Sequence, residues 1–234
     1  MTGGSAPVAP HPWRAVVGRW IGIGIFRGLY RGRAQHAERV PLTGPVILVA
    51  NHAAFLDGPF VFSLAPRPVN FLVKQEAFTG FFGWLIRAVG QIPIDRTVGD
   101  RAALATATAV LERGGAVGIF PEGNRGAGDL TRLHHGATYL ALVSGAPIVP
   151  LMMFGTRPAG GGKDSLPTPK AVVDLVYGAP FHVTPRPWPR TKRLVAATST
   201  QLHERMRTEL EAGLALTGQT LPGPIPVASA KEMS

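Results

Sequence analysis

The sequence predicts a single α/β domain built around a largely parallel or mixed β-sheet that is flanked by helices. Three observations predict this fold. Five short apolar runs recur along the chain, helical stretches separate them, and 234 residues suffice for one sizeable core. Runs that are apolar at every position are typical of strands that are buried on both faces of a sheet. In such sheets, ligands bind at the carboxyl ends of the strands.

Each predicted strand has the same apolar character. The first, VILVA at 46–50, follows the turn residues Thr43, Gly44 and Pro45. Four more strands are expected, at 69–73, 116–120, 148–152 and 171–176. Helices are predicted over 101–113, 133–144 and 191–216, and Asp100 is a candidate N-cap for the first of them. Strands and helices therefore alternate through residues 34–220, which we predict to form one domain.

The two ends of the chain depart from this pattern. Residues 1–12 and 221–234 are rich in Gly, Pro and Ala, which predicts a disordered N-terminus and a flexible tail. Residues 13–33 combine aromatic and aliphatic side chains with five arginines. This mixture predicts a basic amphipathic helix that lies on an anionic membrane surface. The alternative is a helix that packs on its own domain.

The composition limits both the chemistry and the partners. The chain has no cysteine, which excludes disulfides, thiolate metal sites and a cysteine nucleophile. Because 24 Lys and Arg outnumber 14 Asp and Glu, the net charge of +10 predicts a partner with negative charge. An anionic membrane or a phosphorylated substrate fits; nucleic acid does not, since no zinc or RNA-binding signature is present and the basic segment is too apolar.

Neither a signal peptide nor a transmembrane helix is expected. Arg19 and Arg27 interrupt the first apolar run, which disfavours a signal peptide. The stretch 133–156 has no Asp, Glu, Lys or Arg and is long enough to cross a bilayer. It contains three Gly and two Pro, however, so a buried helix, a turn and a core strand are predicted there instead.

Two polar residues follow the first predicted strand. His52 and Asp57 lie in the segment NHAAFLD, directly after 46–50. Residues five apart lie on different faces of a straight α-helix, so contact between them requires a turn or an irregular first helical turn. Such a pair would fix the imidazole tautomer and raise its basicity, as a general base requires. On these residues alone, a purely structural His and Asp remains the alternative.

Two further clusters place an arginine after an apolar run. Glu122, Gly123 and Arg125 follow 116–120 in the segment FPEGNRG. An Arg in a glycine-flanked loop can hold a phosphate with its planar guanidinium while backbone amides assist. Arg96 ends the segment GQIPIDR in a similar way. Taken alone, each cluster is more typical of an ordinary surface turn.

In this order and spacing the clusters resemble the glycerolipid acyltransferase family, whose best-known members are 1-acylglycerol-3-phosphate acyltransferases. The first family motif, His-x-x-x-x-Asp after an Asn, matches Asn51, His52 and Asp57. The second, a Lys-led segment ending in Ile-Asp-Arg, matches Lys74, Glu76, Gly83, Gly90, Ile94, Asp95 and Arg96. The third, Phe-Pro-Glu-Gly-Thr-Arg, matches Phe120, Pro121, Glu122, Gly123 and Arg125. The fourth, a Pro-hydrophobic-hydrophobic-Pro strand, matches 147–150, and the resemblance covers roughly residues 40–183.

Three positions depart from the family pattern. Ala54 stands where the first motif usually has Ser or Thr, and Asn124 replaces the Thr of the third, so each position loses a possible supporting hydrogen bond. After the third motif the family commonly has a Lys before Gly-Ala, whereas this chain has His134 and His135. Because His is only partly charged near neutral pH, the exact acceptor stays open.

The resemblance implies transfer of a fatty acyl group from a thioester donor, acyl-CoA or acyl carrier protein, to the free hydroxyl of 1-acylglycerol 3-phosphate, giving phosphatidic acid in phospholipid synthesis. His52, oriented by Asp57, would remove the hydroxyl proton. Arg125, in a loop shaped by Glu122 and Gly123 and with Arg96 nearby, would hold the acceptor phosphate, so these four residues are the expected substrate-binding residues. No metal and no cofactor beyond the donor is implied, and we expect a peripheral protein at the cytoplasmic face of the membrane. Two alternatives stay open: another glycerol-phosphate or lysophospholipid acceptor, and a non-catalytic lipid-binding relative.

Overall fold

The apolar runs of the sequence pair into one seven-stranded sheet in a computed structural model that describes residues 9–95 and 100–226. The strands are β1 (Arg31–Gln35), β2 (Val46–Ala50), β3 (Val69–Lys74), β4 (Ile92–Ile94), β5 (Ala116–Ile119), β6 (Ile148–Phe154) and β7 (Val172–Tyr177). The helices are α1 (Pro12–Leu29), α2 (Asp57–Leu64), α3 (Gly80–Ala88), α4 (Arg101–Glu112), α5 (Gly136–Ser144) and α6 (Lys192–Thr217). The predicted fold class is confirmed.

The strand order β1-β7-β6-β2-β5-β3-β4 places β2 near the middle of the sheet. Strands β6 and β7 pair antiparallel, whereas the other neighbouring strands pair parallel. The five strands from β6 to β4 therefore run in one direction, and their carboxyl ends lie along one edge. Loops that follow β2, β5 and β6 meet at this edge, which is where ligands bind in sheets of this kind.

Strand β2 shows why the apolar runs are buried. All five of its residues are buried, and alternate side chains point to opposite faces of the sheet. Ile47 and Val49 join a core cluster that includes residues of α4, α5 and α6. Val46, Leu48 and Ala50 join a second cluster that includes residues of α2. Helices on both faces remove the need for polar residues in the strand, so the run is apolar throughout.

The five predicted strands and three of the predicted helices are present, with shifted ends. The helix predicted over 133–144 begins at Gly136, and the strand predicted at 148–152 continues to Phe154. Four elements were not predicted: β1, β4, α2 and α3. Strand β4 has three residues, and α2 and α3 have eight and nine, so none is long enough for a period to stand out.

Both ends of the chain differ from the prediction where the structure describes them. Ala9 packs against the core, and the carbonyl of Pro10 accepts a hydrogen bond from Arg113, so residues 9–12 are tied to the domain. Leu221 also packs against the core, and Nη2 of Arg157 donates to the Gly223 carbonyl at 2.5 Å. The predicted tail is thus in contact with the domain at least to residue 223. Residues 1–8 and 227–234 lie outside the described ranges.

Helix α1 is shorter than the predicted 13–33, because residues 31–35 form β1 at the edge of the sheet. The helix packs on α2 through its small residues. Ala15 and Gly18 are buried, and a Cβ on Gly22 would lie 2.1 Å from Oγ of Ser63, so only glycine permits this approach. The large apolar side chains consequently face away from the domain: Trp13, Val17, Trp20, Ile21 and Ile25 are each at least half exposed.

The arginines of α1 do not all lie on the exposed side. Nε and Nη2 of Arg19 donate to the Ala65 carbonyl, at the end of α2, at 3.0 and 2.7 Å. Burial lowers the pKa of this guanidinium. The helix therefore packs on its own domain through one face and keeps an apolar face exposed. The first feature belongs to the predicted alternative of a helix packed on its own domain, and the second is what a helix on a membrane surface requires.

Candidate active site

Asn51, the residue after β2, fixes the loops around the site. Its side chain is buried: Oδ1 accepts from the Met153 N–H at 2.7 Å, and Nδ2 donates to the carbonyls of Met153 and Gly128 at 3.2 and 3.3 Å. These bonds join β2 to the end of β6 and to the loop that follows β5. An Asn can make all of them because its amide is both donor and acceptor.

His52 and Asp57 are in direct contact. Nδ1 of His52 lies 2.9 Å from Oδ2 of Asp57. The chain turns between them, and α2 begins at Asp57 itself, so the two residues do not share a regular helix. The carboxylate is fully buried, and the same Oδ2 accepts the backbone N–H groups of Ala53 and Ala54 at 2.7 and 2.8 Å.

This geometry fixes the imidazole for proton transfer. His52 Nδ1 and two backbone N–H groups converge on one carboxylate oxygen, which holds the orientation of Asp57. The ring of His52 also stacks on Phe120, with centroids 4.2 Å apart and an angle of 18° between the planes. With Nδ1 directed at the carboxylate, Nε2 is the nitrogen that can take a proton from a substrate hydroxyl.

Glu122 supports His52 from the other side. Its Oε1 accepts the backbone N–H of His52 at 2.7 Å. Burial raises the pKa of Glu122 to about 7, the nearby charges of Asp129 and Asp57 add to the increase, and the hydrogen bond from His52 opposes it. The Glu122 side chain thus holds the backbone of His52, and its pKa lies near neutral pH.

Gly123 is required by the shape of its loop. Its φ of +76° lies in the left-handed region, and a Cβ at this position would lie 2.7 Å from Nε2 of His134. The backbone N–H of His134 donates to the Pro121 carbonyl at 2.7 Å, which keeps the imidazole against this glycine. The histidine that departs from the family pattern therefore packs on the loop of the third motif.

Arg125 lies close to the site, with its side chain 22% exposed. Its guanidinium is 5.8 Å from the ring centroid of Phe55, which follows the His52 turn. Nη1 donates to the Lys163 carbonyl at 2.9 Å and to Oδ1 of Asp164 at 2.6 Å. The next residue, Gly126, donates its N–H to the His52 carbonyl at 3.0 Å, so the arginine loop and the histidine turn are directly joined.

Arg157 is a second arginine at this edge. It follows β6 and is 3% exposed, and its guanidinium donates to three backbone carbonyls, of Gly126, Gly161 and Gly223. Burial lowers its pKa, and the attraction to Asp57 acts against the change. The arginine therefore ties the loop of Arg125 to the loop after β6 and places positive charge near the dyad.

The structure brings five of the six predicted site residues to this edge: His52, Asp57, Glu122, Gly123 and Arg125. Arg96, the sixth, lies outside the described residues. The sequence analysis missed Arg157, although the signal that identified Arg125 was present, an arginine shortly after the end of an apolar strand. It also missed Phe55 and Asp164 beside Arg125, because neither their type nor their spacing identifies a neighbour in space.

The described ranges show two further properties. No helix in them has both the length and the apolar character needed to cross a membrane. In the same ranges, no three His, Cys, Asp or Glu residues are grouped so that they could hold a metal ion.

A His–Asp pair at the carboxyl edge of a mostly parallel sheet, with arginines in the adjoining loops, defines a site that can activate a hydroxyl beside an anionic group. Comparison with known proteins agrees with this class. The model of the family described as Acyltransferase matches residues 32–154, more than half of the chain. The chain belongs to this acyltransferase family.

Individual relatives share one named activity. The 1-acyl-sn-glycerol-3-phosphate acyltransferase of Bacillus subtilis is 26% identical over 181 residues, which cover 76% of this chain and 87% of that protein. The chloroplastic enzyme BAT2 of Brassica napus, which carries the same name, is 31% identical over 143 residues, 58% of this chain and 41% of its own length. The chain thus spans most of the bacterial relative and less than half of the plant one.

A solved structure has the same fold. The crystal structure of the acyltransferase PlsC from Thermotoga maritima matches with a TM-score of 0.62, over 85% of this chain and 79% of that one. The sequence identity is 22%. This likeness supports the architecture derived above.

Proposed function

We propose that this protein transfers an acyl group from a thioester donor to the free hydroxyl of 1-acylglycerol 3-phosphate, which gives phosphatidic acid. The geometry of His52 and Asp57 is the observation that carries the proposal. A buried carboxylate that binds the imidazole and two backbone amides is the arrangement a general base needs. The names of the relatives in Bacillus and Brassica support the choice of acceptor.

The reaction needs one base and no enzyme nucleophile. Nε2 of His52 takes the proton as the acceptor oxygen attacks the thioester carbonyl, and Asp57 stabilises the imidazolium that forms. When the tetrahedral intermediate collapses, the carbon–sulfur bond breaks, and the imidazolium returns the proton to the leaving thiolate. The ester and the free thiol are the products, so atoms and charge balance.

Arg125 is the candidate phosphate ligand. Its guanidinium is partly exposed, and its loop is bonded to the His52 turn through the Gly126 N–H. A planar guanidinium matches the oxygens of a phosphate. Holding the phosphate beside the dyad would also hold the hydroxyl near Nε2, and such positioning contributes much of the rate in reactions between two bound groups.

The test is acyl transfer to 1-acylglycerol 3-phosphate from acyl-coenzyme A or acylated acyl carrier protein, with the product resolved by mass. His52→Ala should lower kcat by about 10²- to 10⁴-fold, as expected for loss of a general base. His182→Ala, at an exposed histidine outside the four motifs, is the matched control and should retain activity. Activity of His52→Ala within tenfold of wild type would contradict the proposal.

The acceptor needs a comparison of its own. Glycerol 3-phosphate and a lysophospholipid with a larger headgroup should be tested beside 1-acylglycerol 3-phosphate under the same conditions. A higher kcat/KM for either would move the function to that acceptor while leaving the chemistry in place. Failure with all acceptors and both donor carriers would favour the non-catalytic relative.

We further propose that the protein acts at an anionic membrane surface as a peripheral protein. Helix α1 exposes Trp13, Trp20 and Ile21, and α3 exposes Phe81 and Trp84 by 79% and 62%. The two helices meet where Gly18 approaches Val89. Exposed aromatic side chains on a protein with a net charge of +10 suit an interface with anionic headgroups. The cytoplasmic side of the membrane stays a prediction.

Sedimentation with vesicles tests this surface. Wild type should sediment with vesicles rich in phosphatidylglycerol more than with phosphatidylcholine alone. Trp20→Ser and Trp84→Ser should weaken the sedimentation, whereas Trp188→Ser, at a tryptophan that is 76% exposed elsewhere, should not. Equal sedimentation of all three variants would exclude the proposed surface.

A further inference from the structure

The guanidinium of Arg125 already has an anionic partner within the chain. Oδ1 of Asp164 lies 2.6 Å from its Nη1, and the Lys163 carbonyl accepts from the same nitrogen at 2.9 Å. The carboxylate thus occupies a position on the arginine that a phosphate oxygen would take. Binding of an anion to this face of Arg125 requires Asp164 to leave or to share the arginine.

The loop that carries Asp164 is fixed at its base and exposed at its tip. Its base is fixed: the Gly160 N–H donates to Pro222, and Arg157 donates to the Gly161 carbonyl. The tip contains Gly162 beside Lys163 and Asp164, and all three are exposed. An open groove of about 470 Å³ borders the tip on the side of Ile225 and Pro226. The tip thus has space beside it that its own base does not fill.

We infer that Asp164 competes with the acceptor phosphate for Arg125 and thereby sets the affinity of the enzyme for phosphate-bearing lipids. The inference rests on the proposed role of Arg125 as the phosphate ligand. It makes Asp164 a residue that determines affinity and discrimination, although it does not take part in the chemical step.

The charges and the exposure of the pair make the exchange feasible. The side chain of Asp164 is 64% exposed, and ion pairs near solvent contribute little to stability, so the contact breaks at small cost. A phosphate monoester carries a charge of about −1.5 to −2 near pH 7, against −1 for the carboxylate, and offers three acceptor oxygens. The lipid phosphate can therefore displace Asp164, whereas a neutral acceptor gains nothing at Arg125.

The competition acts on the product as well. Phosphatidic acid keeps the same phosphate, so return of Asp164 to Arg125 favours release of product. Asp164 lowers the affinity for the substrate and for the product by a similar factor, so the product can be replaced by a new substrate molecule.

Substitution of Asp164 measures the competition. Asp164→Asn removes the charge and should lower the KM for 1-acylglycerol 3-phosphate about two- to fivefold, the range that corresponds to an exposed ion pair. Asp164→Glu keeps a carboxylate and should stay near the wild-type KM. Glu211→Gln, which removes one exposed negative charge on α6, should leave the KM unchanged.

A double variant links the effect to Arg125. In the Arg125→Ala background, Asp164→Asn should change the KM by less than 1.5-fold, roughly, because no ion pair remains to be lost. An unchanged or higher KM in Asp164→Asn alone would overturn the inference, since the pair would then be neutral or helpful for binding. An equal decrease with and without Arg125 would also overturn it.

A binding measurement separates this inference from the proposed function. Titration with inorganic phosphate, followed by NMR, requires no turnover and detects millimolar affinities. Asp164→Asn should lower the Kd by the same two- to fivefold, about as much as the KM, and again only when Arg125 is present. If the enzyme fails to acylate 1-acylglycerol 3-phosphate, the proposed function fails while this titration still decides the inference. An equal Kd in wild type and variant would refute it.

Discussion

The buried carboxyl of Glu122 should make the free energy of unfolding depend on pH. Burial, with help from Asp129 and Asp57, raises the pKa of its carboxyl from 4.5 to about 7, against the effect of the hydrogen bond from His52. Between these two values the folded protein keeps a proton that the unfolded chain has lost. The stability associated with that proton is fully present below pH 4.5 and is lost as the pH rises to 7.

Glu122→Gln isolates this effect, because Gln keeps an oxygen that can accept the His52 N–H and does not titrate. A tenfold change in proton affinity corresponds to about 1.4 kcal/mol, so the free energy of unfolding of wild type should fall by about 2 kcal/mol relative to Glu122→Gln between pH 5 and pH 7. Urea unfolding of both proteins at pH 5, 6, 7 and 8 measures the difference. Glu204→Gln, at an exposed site on α6, is the control. A difference between wild type and Glu122→Gln that stays constant with pH would refute the reasoning.

Two other substitutions test the loop of the third motif. Arg125→Ala should raise the KM for 1-acylglycerol 3-phosphate about tenfold, the value of a lost charged hydrogen bond, and should change the KM for an acceptor without phosphate much less; equal changes for both acceptors would move the phosphate site elsewhere. Gly123→Ala should lower the free energy of unfolding by about 1–3 kcal/mol, because it forces a Cβ into the left-handed region and against His134. Gly126→Ala, whose Cβ would meet only Oε2 of Glu122 at 3.9 Å, should cost less in the same urea titration.

The sheet was predictable because its strands are buried on both faces. Burial on both sides leaves a short, fully apolar run such as VILVA, which stands out from the surrounding sequence. Strand β1 gave no such signal. Its residues lie at the edge of the sheet and are mostly exposed, and Arg33 pairs with the buried Asp174 of β7. Its polar residues were therefore assigned to the preceding helix.

The sequence analysis did not predict which face of α1 packs on the domain. Its aromatic and aliphatic residues predicted a face that lies on a membrane, whereas the face that packs on the domain carries Ala15, Gly18 and Gly22. Small residues let the helix backbone approach α2. The face that contacts the domain therefore carries the smallest side chains of the helix, not its large apolar ones. The spacing of Gly18 and Gly22, one helical turn apart, was the signal in the sequence for this contact.

The site was predictable in its parts and not in its connections. Each motif follows a strand end, so the topology brings His52, Glu122 and Arg125 to one edge of the sheet. The hydrogen bond from the His52 backbone to Glu122 spans 70 residues of sequence and leaves no local pattern. The contact of Arg125 with Asp164 leaves no local pattern either, because Asp164 lies in a glycine-rich loop that carries no motif. Residues in such pairs come together only in the folded structure, so the sequence does not show that they are in contact.

The hydrogen bonds of the dyad also explain why two departures from the family pattern leave it intact. The contribution of Ala54 is its backbone N–H, which donates to Asp57, and its methyl group is fully buried beneath the turn. A hydroxyl at position 54 could add a bond but is not needed to hold the carboxylate. Asn124 is exposed, and the neighbouring backbone is fixed by Gly123 and by the bond from Gly126 to His52. The three consecutive N–H groups of residues 52–54 each donate to a carboxylate, so the position of His52 is set by the main chain and tolerates changes in the side chains around it.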